Sequence, residues 1–319
     1  MKNKLYLLSI FGLFILTACD KNENANNVNV AGDTKIANIE KRQTLMQEQL
    51  FLKMQIKQRD NTKELQNYLE EIEKGIDSEE KAKQAQKEVE AKFNSLNEDT
   101  KKYYNGLNIN DNDMKEYFKL QDDALKVQKA LEKESTRLAQ LSENGAKKLT
   151  QEQMKDYIEL NQKMADVSAD ILGKKIIIDE KFANSATGGV KEYYQIASIL
   201  DLEYKSAGNI AKKLASDQSI QSEEAYNKKL LSEILKIDEE IIKQLNSLEI
   251  KHEDVKAYRD SLIDMVQKKI EVSKKISKQK KHFKDNKLSA NDEASMKVLD
   301  QASKVADEKL DKLLNQLTQ

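Results

Sequence analysis

The chain offers few side chains for nucleophilic or metal chemistry. Its 319 residues include one cysteine, Cys19, and two histidines, His252 and His282. Two distant imidazoles and a single thiol fall short of the four ligands of an all-protein zinc site, and they give little scope for pairing a nucleophile with a base. No Gly-rich phosphate loop or nucleophile elbow occurs. Adjacent carboxylates such as Asp122-Asp123 and Glu239-Glu240 would not face one another on a helix, so they read as solvated faces. Met46, Leu50, Phe51 and Met54 form an apolar patch that reads as core packing before it reads as a ligand site. The expectation is therefore a protein that is not an enzyme, with no catalytic residue, no metal ligand and no cofactor.

The densest chemistry is cationic. Between positions 268 and 287 lie nine lysines, Lys268, Lys269, Lys274, Lys275, Lys278, Lys280, Lys281, Lys284 and Lys287, against Glu271 and Asp285, a net of +7. Lysines at helical spacing are a candidate contact for lipid phosphates or an anionic wall polymer, each contributing about 1 kcal/mol near a charged surface. The plainer alternative is a solvated helix end whose cations favour the C-terminal dipole. Phe283 is the one aromatic residue in the stretch, which leaves little for base stacking. The whole chain balances 54 basic against 55 acidic residues, so no nucleic acid partner is expected.

Cys19 closes a segment of a different kind. Lys2 and Lys4 precede an apolar stretch from Leu5 to Ala18, 14 residues long. That is short of the about 17–25 residues a spanning helix needs and suits a signal peptide over residues 1–18. Its end, Leu16-Thr17-Ala18-Cys19, resembles the lipobox of bacterial lipoproteins: an aliphatic residue, two small ones and a cysteine. The resemblance implies a diacylglyceryl group on the Cys19 thiol and cleavage before Cys19. Two acyl chains, at about 0.8 kcal/mol per buried methylene, hold a protein on a membrane where one would be marginal. Residues 20–33 are asparagine-rich and nearly free of apolar side chains, so 19–33 reads as a lipidated cysteine with a flexible polar tether.

These residues need a body to carry them, and from Thr34 onward the apolar spacing supplies one. Tyr117, Leu120, Ala124, Val127, Leu131, Glu134, Leu138 and Leu141 step by three and four, placing them on one helix face. Similar stripes start at Tyr157, Tyr193 and Met296. With no proline anywhere, nearly the whole chain is free to be helical. Asn144-Gly145 and Gly188-Gly189 are stops, Thr150 with Gln153 is a capping box, and Ser222 and Ser289 are further helix starts. The expected helices are 34–74, 78–105, 111–144, 150–186, 190–216, 222–247, 253–284 and 290–317, with Asp60-Asn61 the place where the first would break. The fold class is all-α, an elongated antiparallel helical bundle with coiled-coil-like packing over 34–319. A division into two subdomains would fall near 186–190.

Two details of the stripes carry expectations of their own. Met114-Lys115-Glu116-Tyr117, Met154-Lys155-Asp156-Tyr157, Val190-Lys191-Glu192-Tyr193 and Val255-Lys256-Ala257-Tyr258 repeat near helix starts. Each tyrosine reads as the start of a buried seam with its hydroxyl at a wet helix end, ahead of a row offered to a ligand. Lys174 and Glu203 interrupt two apolar stripes at 14 residues on either side of Gly188-Gly189. In an antiparallel pair they share one height, about 21 Å from the turn, and so would meet across a seam. Otherwise each reaches water separately.

The lipobox, the polar tether and the lysine- and glutamate-rich helical body together resemble the helical surface lipoproteins of low-GC Gram-positive bacteria. The cell-wall-binding YkyA-like family is one such group. The staphylococcal EMYY-motif lipoproteins are another, to which Lys191-Glu192-Tyr193-Tyr194 is similar in place of Glu-Met-Tyr-Tyr. The resemblance implies a lipid-anchored protein on the extracytoplasmic face of the cell membrane, with wall association. The functional expectation is a non-catalytic scaffold whose partners are the membrane through its anchor and a cell-wall polymer or another envelope protein. The alternative is a ligand- or client-binding helical module in the cell envelope. A deep apolar cleft would favour the second and a filled bundle the first.

Overall fold

Apolar residues at every third and fourth position, uninterrupted by proline, build helix after helix. The computed structural model describes residues 34–143, 150–215, 217, 222–277 and 290–318. Among them are eight helices and no strand: α1 (Thr34–Gly75), α2 (Glu79–Gly106), α3 (Asn112–Glu143), α4 (Gln151–Ser185), α5 (Gly188–Ala215), α6 (Glu223–Ser247), α7 (Glu253–Ser277) and α8 (Ala290–Leu317). The protein is an all-α helical bundle. None of the described helices is long and apolar enough to cross a membrane.

Local chemistry accounts for the boundaries. Thr150 Oγ1 accepts the Gln153 N–H at 3.2 Å while Gln153 Oε1 accepts the Thr150 N–H at 2.8 Å, a complete capping box opening α4. Ser222 and Ser78 cap α6 and α2 in the same way through one hydroxyl each. The connection from α4 to α5 is two residues, and Gly188 sits at φ +62°, a conformation open to glycine at little cost. Helix α1 does not break at Asp60-Asn61. Asn61 is buried, and its Nδ2 donates to the Leu96 carbonyl at 2.9 Å and the Thr100 hydroxyl at 2.6 Å, so a residue with turn propensity is satisfied against α2 instead. The stop at Asn144-Gly145, the start at Ser289 and the stretch of the expected seventh helix beyond Ser277 lie outside the described residues.

The chain forms two compact units. Unit 1 holds α1, α2 and the end of α8 from Leu310; unit 2 holds Asn112–Lys309. The division therefore does not fall near 186–190. Helices α4 and α5 flank that point and pack on one another inside unit 2, because a two-residue connection makes them a hairpin. The core of unit 1 joins Phe51, Leu52 and Met54 of α1 to Val89 and Leu96 of α2 and to Leu313 and Leu314 of α8. Phe51 and Met54 are thus packing residues, as their spacing suggested. Gln47 secures the chain where unit 1 ends: its Oε1 accepts from the Asn110 and Asp111 N–H groups at 2.8 and 3.1 Å, and its Nε2 donates to the Asn108 carbonyl at 3.2 Å.

In unit 2, α3 packs on α4, α4 on α5, α5 on α6 and α7, and α6 on α7. Tyr117, Tyr193 and Tyr258 are buried as the start of a seam, although burial encloses the Tyr193 phenol where a wet helix end was expected, whereas Tyr157 is half-buried. Met296, first of the last stripe, is 42% exposed; α8 buries Ala302, Ala306, Leu313 and Leu314 instead.

Candidate functional site

Cys19 and the lysines Lys278, Lys280, Lys281, Lys284 and Lys287 lie outside the described residues, as does His282. The four described lysines of the basic stretch, all on α7, each meet a partner within the bundle. Lys268 pairs with Asp264 one turn back. Lys269 Nζ lies 2.7 Å from Asp238 Oδ1, Lys274 Nζ 2.9 Å from Glu239 Oε1, and Lys275 Nζ 2.6 Å from the Ser295 hydroxyl. Glu239 and Glu240 are exposed, as expected, while Asp122 and Asp123 are half-buried.

Lys174 and Glu203 do not meet. Lys174 turns to α3, 2.7 Å from Glu116 and 3.3 Å from Asp113, and those acids, above all Glu116, hold its ammonium above the usual lysine range despite partial burial. The charged contact between α4 and α5 lies near the expected height but on other faces of both helices. Lys175, one residue on and about 100° around the helix, takes the place facing α5. Its Nζ is 2.6 Å from Asp201 Oδ2 across the seam and 2.6 Å from Asp179 Oδ2 on its own helix. Asp179 is fully buried and Asp201 nearly so.

Glu203 belongs to a second cluster of the same make-up. It lies 3.7 Å from Lys269 of α7 and hydrogen-bonds the carboxyl of the fully buried Asp238 of α6. Asp201 and Glu203 are two positions apart on α5, hence about 3 Å apart in height and on nearly opposite sides. A single polar layer crosses unit 2 at this level, with α5 in the middle. Lys175, Asp179 and Asp201 stand on one side of it; Glu203, Asp238 and Lys269 stand on the other. Burial pushes the Asp179 carboxyl up to about 8, with neighbouring Asp201 adding to the effect and Lys175 opposing it. Burial likewise raises Glu203 to about 8, helped by the hydrogen bond with Asp238 and opposed by Lys269. Lys175 remains an ammonium, since its two acids outweigh the cost of burial.

Beside this layer stands an aromatic cluster. Tyr194 meets Phe182 at 5.2 Å and Tyr193 at 5.3 Å, and Tyr193 meets Tyr258 at 6.5 Å between ring centroids. Burial, foremost, raises the Tyr193 phenol well above its ordinary range. One residue before it, Glu192 accepts the backbone N–H groups of Lys251 and His252 at 3.0 and 3.1 Å and lies 3.1 Å from His252 Nδ1. Burial acts to raise Glu192, but these donors outweigh it and hold the carboxyl below the usual range. These contacts tie the α6–α7 connection to α5.

The apolar stripes do not single out Lys175, Asp179, Asp201 or Asp238. A signal is present for two of them: Asp179 directly follows Ile176-Ile177-Ile178, and Asp238 directly follows Ile237, so each is an acid that abuts isoleucine. Between α3 and α4 an open groove is lined in part by Lys133, Arg137, Lys163, Glu134, Asp156 and Glu159, three cations and three anions. Among the described residues no group of His, Cys, Asp and Glu side chains is arranged to hold a metal ion. No protein-family model, curated protein or solved structure matches the chain.

Proposed function

We propose that the protein is a membrane-anchored surface lipoprotein whose helical bundle serves as a non-catalytic scaffold toward the cell wall or an envelope partner. The observation that carries this reading is Leu16-Thr17-Ala18-Cys19, with the chain's single cysteine at the lipobox position behind a short apolar stretch and two lysines. Two further features support it. The concavity between α3 and α4 is an open, charge-balanced groove, unlike the enclosed apolar pocket that a small ligand needs. Lys175 and Lys269 pair with the buried carboxyls Asp179, Asp201 and Asp238 inside unit 2, which suits a structural element. Replacing Cys19 by Ala should abolish incorporation of labelled palmitate and leave the protein unprocessed or released from membranes. An N-terminus downstream of Cys19 with no acyl mass, read by mass spectrometry on the native protein, would overturn the anchor.

Within this reading, anionic-polymer contact falls to the lysines beyond Ser277. Lys268, Lys269, Lys274 and Lys275 already have intramolecular partners, which leaves Lys278, Lys280, Lys281, Lys284 and Lys287 as the candidate contact. Retention on purified wall or on vesicles containing anionic lipid should fall steeply as salt rises, because screening and counterion release govern such binding. Reversing Lys278, Lys281 and Lys284 to Glu should remove it with helicity unchanged. Equal retention of the reversed and native proteins at low salt would exclude this contact.

A further inference from the structure

The polar layer of unit 2 has a charge count that constrains its protonation. Two lysines face four carboxyls: Lys175 with Asp179 and Asp201, and Lys269 with Asp238 and Glu203. With every carboxyl ionised, the layer would hold a net −2 inside the helical packing. One proton on each carboxyl pair brings it to neutrality. The geometry provides for those protons. Asp179 Oδ1 and Asp238 Oδ2 are buried and accept from no N–H or hydroxyl among the described residues, so a carboxyl proton is the donor that the packing leaves for them. The six residues come from α4, α5, α6 and α7, the helices that pack in sequence through this unit. Further titratable groups beside the layer include the phenols of Tyr193 on α5 and, behind it, Tyr258 on α7. Neither is a cation that could replace a lost proton.

We propose that this layer is a proton-operated latch, in which the carboxyl pairs Asp179–Asp201 and Glu203–Asp238 each share one proton and hold α4 to α7 together, and which loosens when the protons leave. The latch rests on the charge count and the contacts above, and holds wherever in the cell the protein resides. Its direction follows from linkage. The two raised carboxyls release their protons at about 8 when folded, whereas unfolded carboxyls do so at about 4. Between those values the native state holds the extra protons. Stability is therefore fully present below about pH 4, falls as pH rises, and ceases to fall once pH has passed the folded value. Each pair weakens the folded state by about tenfold per pH unit across that window.

Hydrogen exchange on the full-length protein, corrected for the intrinsic pH dependence of amide exchange, tests this directly. Amides of α5 and α7 should lose at least about tenfold in protection between pH 6 and pH 8.5. A variant carrying Asp179→Asn and Glu203→Gln keeps a hydrogen-bonding amide that cannot ionise, and should show little change between the two conditions. Equal protection of the native protein at both pH values would overturn the latch, as would a folded variant with the same pH dependence as the native chain. Should the variant fail to fold, side-chain carboxyl carbon-13 shifts of the native protein decide. Two carboxyls titrating above pH 7 sustain the proposal, and titration of all of them below pH 6 overturns it.

Discussion

Gly188 begins α5 at φ +62°, where a β-carbon would approach the preceding carbonyl. A Cβ there would lie 3.6 Å from His252 Cε1 and Nε2, an ordinary contact, so the strain of a substitution is in the backbone alone. Gly188→Ala should cost about 1–2 kcal/mol in urea denaturation, and Gly188→Asn less, since asparagine tolerates this region better. Equal stability of the alanine variant and the native protein would show that the turn relaxes freely. The same turn shows what a residue-level reading can and cannot reach. Counting outward from Gly188-Gly189 placed the α4–α5 charge contact at the right height. It missed by one residue on α4 and by two on α5, because successive positions on a helix point about 100° apart and only the partner helix says which of them is inward. Lys174 and Lys175 are chemically identical in the sequence. One meets α3 and the other α5.

At the scale of elements, termini were legible because caps are local chemistry. Thr150 with Gln153 is readable as a box from four consecutive residues, and the structure closes both of its hydrogen bonds. The missing proline made long helices readable too. Asp60-Asn61 marks the limit of such reading, since a turn-forming pair stays helical when Leu96 and Thr100 of another helix satisfy Asn61. Faces were harder to read than ends. Helix α4 is covered by α3 along one side and by α5 along another, so a single stripe from Tyr157 understates its contacts. Acids buried within Ile176-Ile177-Ile178-Asp179 and Ile237-Asp238 belong to those second faces. In a helix with one apolar side, an acid off the stripe is solvated; in one packed on two sides, the same position is interior.

At the scale of the whole molecule, the two units differ in how the chain builds them. Among the described residues unit 2 is one run from Asn112 to Lys309, whereas unit 1 joins α1 and α2 to the last turns of α8, more than 200 positions later in the chain. The Gly188 turn looked like a boundary in sequence because glycines break helices, but a break between helices is not a break between cores. What closes unit 1 is a long-range contact that no local pattern announces. Leu313 and Leu314 are each 1% exposed, and Asp311 accepts from Arg59 Nε at 3.0 Å and pairs with Lys63. Burial acts to raise Asp311, but the hydrogen bonds from Lys63 and Arg59 outweigh it and hold the carboxyl low. Ending the chain after Lys309 removes all three side chains from unit 1. Deleting one buried leucine side chain costs about 2–5 kcal/mol, so losing two approaches the about 5–15 kcal/mol that stabilises a whole domain. In the truncated protein, amides of α1 and α2 should exchange at close to unfolded rates while those of α4 to α6 stay within a few-fold of native. Leu313→Ala alone should show the same selectivity at smaller amplitude. If α4 to α6 lose protection together with α1 and α2, the two units fold as one, and if α1 and α2 keep their protection, the end of α8 is no part of the core of unit 1.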